Sequence, residues 1–133
     1  MLENLIIELC GAFPFTFEEK NKQGFFGLKF GTREIFLRDL VPGVYLKSII
    51  GAVPGGNQEE LFSYLMRANY LSQGTGQSVL GVDDEGKNFQ LLLHYGHDLN
   101  FRIFKLLIED FVNYAEYWSD EIAKSVATKT VGG

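Results

Sequence analysis

A stretch in the middle of the chain, Glu60 to Leu71, carries more apolar surface than one core can use. Leu61, Phe62, Tyr64, Leu65, Met66, Ala68 and Leu71 are all apolar. At 3.6 residues per turn they cover an arc of roughly 200°, where an ordinary surface helix needs about 100°. A helix apolar on two sides in a small protein predicts a sheet against one side and a second subunit against the other. Asn57 with Glu60 fits a capping box at the helix start. Gly74-Thr75-Gly76 ends the helix, since glycine takes the left-handed conformation without steric cost. Val79, Leu80 and Val82 then read as a strand.

The flanks supply the sheet. Leu2, Leu5, Ile6 and Leu9 fall at i, i+3, i+4 and i+7, one helical face, and Gly11 with Pro14 stops that helix. The period then changes to two. Phe26, Leu28 and Phe30 alternate with Phe25, Gly27 and Lys29, and Gly31-Thr32 turns the chain. Ile35 and Leu37 alternate with Glu34, Phe36 and Arg38; after Pro42-Gly43, Val44, Leu46, Ser48 and Ile50 alternate with Tyr45, Lys47 and Ile49. Three strands joined by short turns predict an antiparallel meander. Phe25, Phe36, Tyr45 and Ile49 fall on its outward face, which is more apolar than a solvated face should be. Cover by a helix or by the Lys20–Gln23 loop explains this as well as docking of another chain does. Asp83 to Lys87 makes a hairpin turn with Gly86 as its left-handed residue, and Phe89 to Tyr95 is the return strand.

Asp98 is the expected cap of a last, long helix to about Val126. Its stripe is Phe101, Phe104, Ile108, Phe111, Ala115, Trp118 and Ile122. The order is α-β-β-β-α-β-β-α, an α+β layout of antiparallel sheet and helices. One domain over residues 1–127 is expected, with 128–133 a patternless, disordered tail.

Composition narrows the function. The 133 residues are 46% hydrophobic with a net charge of −5 and no block of Lys or Arg, which argues against direct nucleic-acid binding. No apolar run approaches the ~20 residues of a membrane span. The amino terminus lacks the positive start of a secretory signal, so a cytoplasmic protein is expected. Cys10 is the single cysteine, which excludes an internal disulfide. His94, His97 and Asp98 are the one cluster of metal-ligand types, at a strand end and without the further ligand a zinc site needs. No serine or cysteine sits in a nucleophile setting. Gly74-x-Gly76 follows a helix, whereas a dinucleotide fingerprint opens one. Asp83-Asp84-Glu85 is too short for a calcium loop, and Gly132-Gly133 matches ubiquitin-like tails in two residues alone. No cofactor, no metal and no catalysis are expected.

Ala68-Asn69-Tyr70-Leu71, followed by Gly74-Thr75-Gly76-Gln77-Ser78-Val79-Leu80-Gly81-Val82-Asp83, resembles the central block of the type III secretion chaperones of the Tir-chaperone (CesT-like) family, class I. There a helix ending Ala-Asn-x-Leu precedes a Gly-rich turn and a strand ending Leu-Gly-x-Asp. Gly51 to Pro54 resembles the family's Gly-x-x-Pro link, and Trp118 stands where the family often has an aromatic. Residues 11–23 match least.

The resemblance implies a dimeric chaperone that binds a secreted effector or regulator in extended form and presents it for export. The alternative is a regulatory adaptor of the same fold, paired with another chaperone or a transcription component. A homodimer and a heterodimer fit equally. Family dimers use the central helix and following strand, which implies an interface of Leu61, Tyr64, Leu65, Ala68, Tyr70, Val79 and Leu80. Leu61, Leu65 and Ala68 are expected inward or at its boundary. The expected effector patch joins Leu2, Leu5 and Ile6 to Phe25, Phe36, Tyr45 and Ile49, although Leu5 fits the core equally well.

Overall fold

The computed structural model describes residues 2–55, 59–69 and 78–132, with side chains to 125. Asn57 of the expected capping box, Tyr70, Leu71 and the Gly74–Gly76 turn lie outside the described residues.

Helix α1 (Leu2–Ala12) leads into a short strand β1 (Thr16–Glu18) and then the meander β2 (Phe25–Phe30), β3 (Arg33–Asp39) and β4 (Val44–Ala52). Helix α2 (Glu59–Asn69), the hairpin β5 (Val79–Val82) and β6 (Asn88–Tyr95), and helix α3 (Phe101–Gly132) complete the chain. All strand pairs are antiparallel, in the spatial order β1-β2-β3-β4-β6-β5. The expected order holds, with β1 added to it. Three residues paired at one edge offer too little alternation to be read from sequence.

The core lies on one face of the sheet. Phe26, Leu28, Ile35, Leu37, Val44, Leu46, Ile50, Phe89, Leu91 and Leu93 point into it from the strands. Leu2, Leu5, Ile6 and Leu9 of α1 meet them, as do Leu61, Leu65 and Ala68 of α2 and the α3 stripe from Phe104 to Ile122. The three helices therefore form a single layer. Gly43 holds the β3–β4 turn at φ 111°, where a Cβ would collide with the Tyr95 carbonyl.

One polar knot ties the layers. Arg33 of β3 hydrogen-bonds Glu116 of α3 at 2.9 Å, the Ile49 carbonyl at 2.7 Å and the Ser48 hydroxyl at 3.3 Å. Ser48, itself buried, donates to the Glu34 carbonyl.

The start of α3 differs from expectation. Asn100, not Asp98, is the cap: its Oδ1 accepts from the Ile103 N–H at 2.8 Å, and its carbonyl takes the first helical bond from Phe104. Asp98 lies two residues too early to reach those N–H groups. The helix backbone continues to Gly132, past the Val126 expected as its end.

Candidate interaction surfaces

The second face of the sheet has no described helix over it. Strand register places its side chains in rows. Phe25, Arg38, Tyr45 and His94 make one row; Phe36, Lys47, Leu92 and Val79 make the next. Ile49 pairs with Gln90 beyond them. Period-two alternation put Phe25, Phe36, Tyr45 and Ile49 on one face, and the register brings them together there. Phe25, Phe36 and Tyr45 are half-buried, while Ile49 is 51% exposed and Val79 46%. Their partial cover comes from one another and from the loop before β2, whose Asn21 and Gln23 help to line a cleft of 230 Å³. Asn21 shapes that loop by accepting hydrogen bonds from the N–H groups of Gln23 and Phe25.

Cations sit among these rings. Lys47 Nζ lies 4.3 Å from the Phe25 centroid and 5.9 Å from that of Phe36, and the Arg38 guanidinium lies 5.6 Å from Phe25. Phe25 and Tyr45 are themselves in ring contact at 6.2 Å. Burial pushes the Tyr45 phenol above its ordinary range.

The first-helix residues are elsewhere. Leu2, Leu5 and Ile6 are buried in the core on the opposite face of the sheet, where α1 packs against β1 and α3. The expected patch joining them to Phe25, Phe36, Tyr45 and Ile49 is not formed, because the sheet itself stands between the two groups. The helical spacing of Leu2, Leu5, Ile6 and Leu9 marks the inward face of α1, which the sheet separates from the outward strand face.

The expected dimer residues also divide. Leu61, Leu65 and Ala68 are buried. Leu80 is buried too, at 9% exposure, while its neighbour Val79 faces the open side. Adjacent strand residues point to opposite faces, so Val79 and Leu80 lie on opposite sides of β5, the edge strand. Tyr64 turns toward α3, its ring 5.4 Å from that of Trp118. Burial, followed by a hydrogen bond with Tyr117 and the charge of Glu121, raises its phenol pKa. Tyr64 and Trp118, with Arg67, Asn113, Tyr114 and Tyr117, line a groove of 770 Å³ between α2 and α3.

Exposed apolar groups on the α2 flank are ones not assigned from sequence: Met66 at 70%, with Phe62 and Val82. They border an apolar cleft of 150 Å³. Phe62 and Met66 belong to the wide arc of the helix, so the signal was present. What was missing was the helix rotation, which only packing against β5 and β6 fixes. Beside them, Asn69 bonds both backbone groups of Leu80: its Nδ2 donates to the carbonyl at 2.8 Å, and its Oδ1 accepts from the N–H at 2.7 Å.

Groups that could carry chemistry are dispersed. Among the described residues, no three His, Cys, Asp or Glu side chains are grouped to hold a metal ion. His94 lies in the sheet row with Tyr45, and His97 packs edge-on against Tyr95 at 5.3 Å. Cys10 is half-buried, and burial raises its thiol pKa away from the reactive thiolate. None of the described helices is long and apolar enough to cross a membrane.

The chain is similar to the Chlamydia pneumoniae protein CPj0713/CpB0740, with 29% identity over 80 residues. That match covers 59% of this chain and 61% of the relative, so it spans less than two thirds of that protein's length. The family model described as the Tir chaperone protein (CesT) family matches residues 4–119, which takes in every element from α1 to the Trp118 turn of α3. The match covers most of the chain, and the protein belongs to the Tir chaperone protein (CesT) family, a family of type III secretion chaperones.

Proposed function

We propose that this chain binds a secreted effector or regulator protein in extended form in the cytoplasm and keeps it soluble and competent for export, with no chemical step. The observation that carries this reading is the open sheet face. Phe25, Phe36, Tyr45, Leu92, Ile49 and Val79 form an apolar surface, with Arg38 and Lys47 set among them, over which no described helix lies. Isolated exposed apolar residues are ordinary, but a contiguous set marks a surface that another chain covers. An unfolded segment can lay alternate side chains on this face and add backbone hydrogen bonds at the β1 edge. Ordering such a segment costs about 2–5 kcal/mol, so a long contact is required. The chaperone works as a dimer, with itself or with a related chaperone, through Phe62 and Met66 of α2.

Phe36→Glu and Ile49→Glu, made singly, test the surface. Each is expected to keep the circular dichroism spectrum and oligomeric state, and to lose the secreted protein that co-purifies with wild type from the native cell. A variant that unfolds identifies its residue as core. Two folded variants that both retain the cargo would place the binding surface elsewhere. A transcription factor as the captured partner would favour the regulatory adaptor.

A further inference from the structure

The open face is electrostatically incomplete. On its β1 side, Lys29 is matched by two acids, Glu18 at 3.2 Å and Glu34 at 3.4 Å. At its centre, Lys47 and Arg38 have no carboxylate within ion-pair reach among the described residues, and they rest on aromatic rings. A ring face positions a cation without neutralising it. Asp83, the acid at the rim of the 230 Å³ cleft, is committed to its own turn. Its Oδ1 accepts from the Lys87 and Asn88 N–H groups, and its Oδ2 from the Asn88 amide.

In a chain of net charge −5, two cations held side by side without an acid form a local exception. The cleft beside them has Phe25, Phe36 and Ile49 as apolar wall and Lys47, Gln23 and Gln90 as hydrogen-bond donors. We infer that the segment received on this face carries a carboxylate side chain two residues from an aliphatic one, the spacing that puts both on one side of an extended chain: the carboxylate meets Lys47 and Arg38, and the aliphatic group enters the cleft. This rests on the chaperone reading above and names the chemistry of its cargo. A single-stranded nucleic acid would also find rings and cations here. Two cations flanked by Glu18 and Glu34 do not make the continuous positive track that a phosphate backbone needs.

Two capped octapeptides of alternating valine and threonine test the inference, one with a central Glu-Thr-Leu and one with Lys-Thr-Leu, so that the charged and aliphatic groups share a side. Binding to the full chain is followed by fluorescence anisotropy at physiological salt. The Glu-Thr-Leu peptide is expected to bind about tenfold more tightly, the scale of one charge-assisted hydrogen bond. Lys47→Glu is expected to reverse that order, and Lys47→Met, which keeps the stem and leaves Arg38, to weaken the preference several-fold. Thermal unfolding checks both variants, and Lys47→Met stands alone if the reversal does not fold. Equal binding of the peptides to wild type, or a preference unchanged in the variants, overturns the inference. So does a thymidine oligonucleotide that binds more tightly than either peptide and competes with them. Synthetic peptides replace the native cargo here, so this outcome is independent of whether a secreted protein co-purifies. Cargo captured by wild type without any peptide preference would defeat the inference and leave the chaperone reading standing.

Discussion

The carboxamide of Asn69 makes the two hydrogen bonds with Leu80 that a neighbouring strand would make. Strand β5 is at the end of the sheet order, so the outward N–H and C=O of Leu80 have no strand to pair with. Asparagine suits the position because its side chain presents one donor group and one acceptor, the same pair that a peptide group offers. This gives the Asn of Ala68-Asn69-x-Leu71 a physical reason. Asn69→Ala leaves two partly buried backbone groups unmet and is expected to cost about 1–3 kcal/mol in urea unfolding. A loss below 0.5 kcal/mol, the scale of an ordinary surface change, would mean that water replaces the amide without penalty.

Element boundaries separate what the sequence specifies from what packing decides. Helix α3 is expected to lose about 0.5–2 kcal/mol on Asn100→Ala, whereas Asp98→Ala should stay within about 0.5 kcal/mol. Chemical denaturation of the two variants compares them directly. Asp98 and Asn100 are both good caps by residue type, and composition alone could not choose between them. The α3 stripe and the strand faces were legible because their periods are long and regular. Strand β1 was not, because Thr16-Phe17-Glu18 acquires its identity from pairing with Lys29, Leu28 and Gly27. The open-face residues Phe25, Phe36, Tyr45 and Ile49 were legible by the same alternation. The Lys47–Phe25 contact depends on register across strands, which no local pattern reveals.

At the scale of the whole molecule, the exposed apolar flank of α2 and the open sheet face are separate surfaces, so a dimer and its cargo need not compete. Met66→Glu is expected to convert a dimer to a folded monomer in sedimentation at micromolar concentration, because Met66 contributes little to the monomer's own core at 70% exposure. A dimer that survives the change would move the interface off this flank. Apolar layers resist being pulled apart, yet they resist sliding weakly, since one greasy contact replaces another at similar energy. The Arg33 knot supplies what the core lacks. Its guanidinium grips Glu116 on the helix while holding the Ile49 carbonyl and the Ser48 hydroxyl on the neighbouring strand. It works as a dowel through two boards: α3 has one seat on the sheet, and shear along the interface must first break directional bonds. The Ile49 peptide is held from below while its side chain faces outward. A load applied to the open face at Ile49 is therefore carried straight into α3.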